Sequence, residues 1–179
     1  MVHPLRCLLF ALALLLGGMT PCAAADAPLP VVDALDLNRY AGTWHEIARY
    51  PNFFERKCER DVTATYSSNA DGTIRVVNAC RKYDGSMMQA EGVARVVTAP
   101  SKLKVRFAPD WLAWLPFVWA NYWVIDLADD YSYAVVGEPR REYLWILARG
   151  TQMSDGVYAR IVARLAALGF DPARLVRNP

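Results

Sequence analysis

The stretch that decides the fold is LNRYAGTWHEIAR, residues 37–49. From Gly42 onward it predicts a β-strand, in which successive side chains point to opposite faces of a sheet. Trp44 and Glu46 therefore share one face. A second run, YLWILAR at residues 143–149, predicts the last strand of the chain and ends on Arg149.

Between and around these runs, short alternating or apolar segments recur at close intervals and are separated by turn residues. This pattern is typical of an antiparallel up-and-down barrel or a sandwich. Eight strands are predicted, near residues 42–50, 61–67, 72–80, 86–97, 101–108, 121–127, 131–137 and 142–149.

One helix is predicted after the last strand. Ser154 is a good N-cap residue, and Gly169 is the residue expected to end the helix in a left-handed conformation. Apolar residues at helical spacing form a single stripe, so the helix should pack on the outside of the sheet. That stripe consists of Val157, Ile161, Leu165 and Leu168.

The amino-terminal residues 1–25 have the features of a secretory signal peptide: Arg6, a short apolar region and a small-residue cleavage site. Lipid attachment to Cys22, as in a bacterial lipoprotein, is the alternative to plain secretion. Residues 26–35 are predicted to be a short flexible leader. Residues 36–179 are long enough for one domain with its own core.

Composition and motifs exclude several functions. After residue 25 the chain has 19 basic and 18 acidic residues, scattered rather than clustered, so nucleic acid is not a predicted partner. No later segment has 18 uninterrupted apolar residues. The chain contains no GxSxG or HExxH motif and no phosphate-binding glycine loop, so no catalytic residue, metal or cofactor is predicted.

Cys58 and Cys80 are the two cysteines that follow the amino-terminal region. A hairpin folded near Ala70 brings them close together, and an isolated pair in an oxidising compartment is expected to form a disulfide. A metal or redox pair is the alternative, although the spacing lacks a CxxC motif and a nearby histidine.

Gly42-Thr43-Trp44 resembles the GxW signature of lipocalins, and residues 143–149 resemble their last strand with its terminal arginine. The run 37–49 is similar to the same segment of bacterial outer-membrane lipocalins, plant temperature-induced lipocalins and apolipoprotein D. The resemblance extends over residues 33–177. Asp129-Asp130-Tyr131 only loosely matches the family's Thr-Asp-Tyr motif, so the conformation of that turn is left open.

The resemblance implies an all-β fold: an eight-stranded antiparallel up-and-down lipocalin β-barrel with one C-terminal α-helix packed outside. It also implies that Trp44 lies inside the closed base of the barrel and that Arg149 stacks over its indole. This is a cation–π contact with a structural role, worth about 1–2 kcal/mol when it is desolvated. Gly42 belongs to the same base.

If Arg149 points inward, side-chain alternation predicts an apolar cavity wall. The clearest case is the fifth strand, where apolar residues alternate with Lys102, Lys104 and Arg106. A completely filled barrel is the alternative. Glu46 should also face inward, toward a partner across the barrel or the head group of a ligand. The predicted lining residues are Ala64, Tyr66, Ile74, Val76, Asn78, Ala90, Leu103, Val105, Phe107, Tyr122, Val124, Tyr143, Trp145 and Leu147.

The resemblance implies a binding protein that stores or transports fatty acids, lysophospholipids or similar apolar ligands for membrane maintenance. It would be exported to the periplasm, with attachment to the outer membrane and homodimer formation as further implications. A thiol-dependent lipid-modifying enzyme on the same barrel is the alternative function. The loop from Trp111 to Trp119 is unusually apolar and could contact a membrane, form a lid or enter a dimer interface.

Overall fold

The computed structural model describes residues 28–178 and contains the predicted strands and helix. The predicted signal peptide and Cys22 lie outside these residues. The helices are α1 (Leu37–Tyr40) and α2 (Asp155–Ala167), with 3-10 helices at Asp110–Leu112, Pro116–Val118 and Pro172–Arg174. The strands are β1 (Gly42–Arg49), β2 (Cys58–Ser68), β3 (Ile74–Lys82), β4 (Met87–Ala99), β5 (Lys102–Arg106), β6 (Ala120–Leu127), β7 (Tyr133–Gly137), β8 (Leu144–Ala148) and β9 (Val176–Arg177).

The strands β1 to β8 form a closed antiparallel barrel. From β2 to β8, each strand pairs with the next strand in the sequence. Strand β1 closes the barrel by pairing with both β2 and β8. Gly42 lies opposite Tyr66 on one side, and His45 lies opposite Ala148 on the other. The predicted eight-stranded up-and-down barrel is therefore confirmed.

This topology gives the barrel two different ends. Connections that follow odd-numbered strands all lie at one end, and the tight turns after even-numbered strands lie at the other. The long connections 50–57 and 107–119 are at the first end, called here the mouth. Helix α1, the start of β1 and the end of β8 are at the second end, called here the base.

Two apolar cores pack on the two faces of the curved sheet. The inner core surrounds Trp44. The outer core includes Ile161 and Leu165 of α2, which pack against the outward faces of β1 and β6–β8. The predicted helix outside the barrel is confirmed, and Gly169 follows it with φ +84°, the left-handed conformation that glycine adopts without strain. No helix in the described part of the chain is long and apolar enough to span a membrane.

The leader differs from the prediction of a flexible segment. Leu29 is buried in the outer core, and the backbone N–H of Val32 donates to the carbonyl of Val124 at 3.0 Å. Residues 28–35 therefore pack against the barrel, because Leu29 is buried in the outer core whereas Val32 and Leu35 pack with the inner core. Helix α1 and strand β9, which were not predicted, likewise depend on contacts with distant strands.

The predicted disulfide between Cys58 and Cys80 is confirmed. Strand β2 begins at Cys58, three residues before its predicted start, and its register with β3 shifts twice before Thr63. Asp61 has φ +57° in this irregular region. Since each shift displaces β2 along β3, the two cysteines come to lie 5.6 Å apart between their Cα atoms.

Candidate functional site

The base of the barrel is sealed by Trp44 and Arg149. Trp44 is 0% exposed, and the Arg149 guanidinium carbon lies 3.8 Å from the centroid of the indole. The same guanidinium donates to four backbone carbonyls of residues 39–43 at 2.7–3.2 Å. Arg149 thereby ties the end of β8 to α1 and the start of β1, so the floor cannot open without breaking these bonds.

Gly42 leaves the space that this arrangement needs. Its φ of +96° is strained for any residue with a side chain, and a Cβ there would lie 3.3 Å from Arg149 Nη1. The turn with Asp129-Asp130-Tyr131 completes the base. Tyr131 adopts φ +62°, accepts a hydrogen bond from Asp36 N at 2.9 Å and lies 4.0 Å beneath Arg39.

The predicted lining residues divide between the two halves of the barrel. Those nearest the base belong to the buried inner core or pack directly against it. Toward the mouth, Asn78 and Ala90 share the same inward alternation but are exposed. Inward-facing positions of the upper half are therefore accessible above a closed floor, and this region is called here the cup. The members that form or contact the inner core are Ala64, Tyr66, Ile74, Val76, Leu103, Val105, Tyr122, Val124, Trp145 and Leu147.

Two predicted lining residues lie at the rim of the cup. Phe107 follows the end of β5 and packs against Gly92, where an added Cβ would come within 2.7 Å of its ring. Tyr143 precedes β8 and stacks on Trp145, with ring centroids 6.0 Å apart and an interplanar angle of 9°. Tyr143 also contacts Phe54 of loop 50–57, so aromatic rings line this side of the rim.

A buried charged network joins β1 to the mouth loop, and most of it was not predicted. Glu46 accepts hydrogen bonds from Arg49 at 2.9 Å and from Asn178 at 2.9 Å. Arg49 also forms an ion pair with Glu55 at 2.8 Å, and Glu55 accepts a bond from the indole N–H of Trp145 at 2.9 Å. The sequence left two kinds of partner open for Glu46, a protein group across the barrel or the head group of a ligand. The structure shows protein partners, Arg49 of the same strand and Asn178.

Burial and the neighbouring Glu55 carboxylate raise the pKa of Glu46 from 4.5 to about 8, against the opposing effect of Arg49. Asn178 could not be identified from the sequence, because it reaches Glu46 only through the pairing of β9 with β1. Within residues 28–178, no group of three or more histidine, cysteine and acidic side chains is arranged to hold a metal ion.

The Trp-rich loop 107–119 is attached to the outer wall through Trp119 and through Arg106, which donates to Ala108 O and Asp110 Oδ1. Trp119 lies between the guanidinium groups of Arg95 and Arg106, at 4.1 and 5.2 Å from its ring centroid, and donates to Ala113 O. Arg106 is buried by this contact, although its alternation predicts an outward side chain. Other apolar residues of the loop point to solvent: Trp111 is 73%, Trp114 77% and Phe117 80% exposed.

Comparison with known proteins agrees with this architecture. Residues 35–179 match the model of the lipocalin-like domain family. The chain is 39% identical to temperature-induced lipocalin-1 of Arabidopsis thaliana over 155 residues, covering 84% of this chain and 82% of the relative. It is 40% identical to outer membrane lipoprotein Blc of Escherichia coli over 161 residues, covering 86% of each.

A solved structure shows the same fold at lower identity. Insecticyanin from the tobacco hornworm Manduca sexta superimposes with a TM-score of 0.65 at 21% identity, covering 86% of this chain and 85% of insecticyanin. The sealed base, the closed eight-stranded barrel and the external helix thus occur in a chain that matches the family model over its whole domain. This protein belongs to the lipocalin family.

Proposed function

We propose that this protein binds an apolar molecule with a long hydrocarbon chain in the cup above Trp44, and stores or carries it within the cell envelope for membrane maintenance. Fatty acids and lysophospholipids are the ligand classes we expect. The observation that carries the proposal is a barrel sealed at one end and open at the other, with an apolar inner wall. Each buried CH₂ group of a ligand would gain about 0.8 kcal/mol there.

The polar groups around the cup support a chain-first orientation for such ligands. The inner core consists of aliphatic and aromatic side chains, whereas Asn78 is exposed and the Glu46–Arg49–Glu55 network joins β1 to the mouth loop. A charged head group keeps its hydration at the mouth, while the hydrocarbon chain extends toward the floor. Charged groups avoid apolar interiors because desolvation is costly.

Native purification followed by mass spectrometry of the bound lipids tests this proposal directly. We expect co-purified lipids, and we expect Trp145→Lys to weaken binding of a fluorescent fatty acid by about tenfold or more, because it places a charge on the apolar wall. Trp145→Phe is the matched control and should keep the affinity within about threefold, since an aromatic ring remains. A fatty-acid affinity that is the same in all three proteins would contradict this site.

We further propose that the mouth contacts the surface of a lipid bilayer. Large exposed apolar side chains occur on three of the connections at this end, and tryptophan is favoured where apolar and aqueous phases meet. The anchoring of Trp119 on the outer wall turns the rest of its loop outward, which favours a membrane contact over a lid. The exposed residues of this collar are Phe53, Phe54, Tyr83, Met87, Trp111, Trp114 and Phe117.

The charges of the collar favour an apolar rather than an electrostatic attraction. At this end Asp84 forms an ion pair with Lys82 and Asp110 with Arg106, so much of the charge cancels locally. We therefore expect the protein to bind neutral phosphatidylcholine vesicles with little dependence on salt. Delivery of a lipid from the bilayer would then need only a short path, since the cup opens at the same end.

Vesicle flotation of the triple variant Trp111→Ser, Trp114→Ser, Phe117→Ser tests the membrane contact. Partitioning of the protein onto vesicles should fall more than tenfold, because the three exposed aromatic side chains no longer contact the bilayer. Val96→Ser with Val97→Ser is the matched control, since these exposed residues are near the base. Unchanged flotation of the triple variant would reject the contact; faster ligand release would then indicate a lid, and loss of a dimer would indicate an interface.

The relative named outer membrane lipoprotein supports a location in the envelope, and the signal-like residues 1–25 support export. Whether Cys22 carries a lipid can be decided from the intact mass of the mature protein. A thiol-dependent reaction would require a free cysteine, and Cys58 and Cys80 are bonded to each other. Titration of thiols in the native protein therefore tests that alternative.

A further inference from the structure

Three tyrosine hydroxyl groups meet above the sealed base. Tyr40 belongs to α1, Tyr66 to β2 and Tyr122 to β6, so the cluster joins three elements that are distant in the sequence. The Tyr122 hydroxyl lies 2.7 Å from that of Tyr40 and 2.9 Å from that of Tyr66. Tyr66 and Tyr122 were predicted to line the cavity, whereas Tyr40 was not.

The cluster has more hydrogen-bonding capacity than it uses. Each phenol carries one proton and can also accept a hydrogen bond. The two contacts engage two of the three protons, and no other group among residues 28–178 bonds to these hydroxyls. One O–H is therefore left without an acceptor in an apolar setting, which is unfavourable unless a further oxygen atom reaches it.

A small cavity lies where such an oxygen would be needed. It has a volume of about 20 Å³ and is lined by the three tyrosines together with Ile74, Val76, Leu103 and Val105, among others. That is room for one water molecule or for the terminal group of a ligand. Ser67 and Ser68, at the exposed end of β2, also line the cavity, so the hydroxyl cluster is the buried polar feature that a ligand end would meet.

The electrostatics of the cluster favour a neutral partner. Burial raises the pKa of Tyr66 to about 12 and raises the pKa values of Tyr40 and Tyr122 well above 10, so all three are neutral donors. The guanidinium of Arg149 stacks on Trp44 and already donates to four carbonyls. A carboxylate at the floor would therefore be desolvated among neutral phenols, with the already engaged Arg149 as the nearby cation.

We propose that Tyr40, Tyr66 and Tyr122 form a recognition site for a neutral oxygen, a hydroxyl or a carbonyl, at the leading end of an otherwise apolar ligand. The inference rests on the proposed function and narrows its ligand class. A fatty acid enters methyl end first and leaves the small cavity to water. A long-chain alcohol or ketone enters with its oxygen first and bonds to the unused O–H.

Matched probes test the site by titration of the intrinsic tryptophan fluorescence at pH 7. The probes are 1-decanol, undecane, which has the same number of heavy atoms, and ionised decanoate. The wild-type protein should bind decanol about tenfold more tightly than undecane, since one hydrogen bond to a buried donor distinguishes them. Decanoate should bind no more tightly than decanol.

Tyr122→Phe alone would leave the hydroxyls of both Tyr40 and Tyr66 unbonded, so the informative variant replaces all three tyrosines with phenylalanine and keeps the rings. It should abolish the preference for decanol while leaving the affinity for undecane unchanged, a result that a merely structural role would not produce. If the triple variant does not fold, Tyr122→Phe gives a second test: it should keep the preference for decanol, because the hydroxyls of Tyr40 and Tyr66 are then both unused. Tyr83→Phe, exposed at the mouth, is the control.

A preference for decanol that survives in the triple variant overturns the tyrosine site, and so does loss of the preference in Tyr122→Phe. Tighter binding of decanoate than of decanol by the wild-type protein overturns the site as well. Equal affinities of the wild-type protein for decanol and undecane overturn the site too, while leaving the proposed apolar cup intact. Binding of none of the three probes contradicts the proposed function itself.

Discussion

The base and the mouth of this barrel use the same residue type in opposite ways. At the base, Trp44 is completely buried beneath Arg149. At the mouth, Trp111 and Trp114 point to solvent. The base is fixed by many interactions that bury apolar surface, whereas the mouth keeps apolar surface uncovered. Stability therefore resides in the closed end, and the open end is free to meet a ligand or a lipid surface.

Tryptophan substitutions at the two ends should separate these roles most strongly. Trp44→Ala should lower the free energy of unfolding by about 3–5 kcal/mol, because it empties a closed site and removes the partner of Arg149. Trp114→Ala should change the same quantity by less than about 0.5 kcal/mol, since its side chain is exposed. Urea unfolding followed by circular dichroism measures both, and similar losses for the two variants would refute the comparison.

The disulfide is expected to produce the next largest effect. Cys58–Cys80 joins β2 to β3 across 22 residues, at the mouth ends of both strands. The double variant Cys58→Ser, Cys80→Ser should lose about 3 kcal/mol of unfolding free energy, because the unfolded chain regains the entropy of an open loop. Thermal unfolding with and without reductant gives the measurement. A double variant as stable as the oxidised wild type would show that the mouth needs no covalent restraint.

A pH dependence that arises from Glu46 is also expected, and its size per pH unit is smaller than the two effects above. Its pKa is raised from 4.5 to about 8, so between these values the folded protein holds a proton that the unfolded chain has released. The contribution of Glu46 is fully present below pH 4.5 and is lost as pH rises through about 8. The unfolding free energy should fall across this range by at most about 1.4 kcal/mol per pH unit.

Glu46→Gln should remove this decline, because the amide does not titrate. Glu91→Gln is the matched control, since Glu91 is exposed and should leave the decline above pH 5 unchanged. Denaturation measured at a series of pH values distinguishes the two variants. A decline that persists in Glu46→Gln would assign the pH dependence to another group.

The sequence pattern predicted eight strands, the disulfide and the external helix, and the resemblance to lipocalins favoured a barrel over a sandwich. Strand alternation and turn residues marked the eight strands, and the amphipathic stripe around Ile161 marked the one surface that the helix must cover. Such patterns are local, because they follow from the periods of strands and helices. The resemblance of residues 37–49 to lipocalins added the placement of Trp44 and Arg149, whose contact the structure contains.

Tertiary structure decided the features that depend on residues far apart in the chain. Asn178 reaches Glu46 only because β9 pairs with β1. Tyr40 meets Tyr122 across the barrel, and Leu29 is buried by an outer face that forms from distant strands. Alternation states which face a side chain takes, but closure of the barrel decides which side chains then meet. For that reason the wall could be predicted from the sequence, whereas the hydroxyl cluster and the charged network required the folded protein.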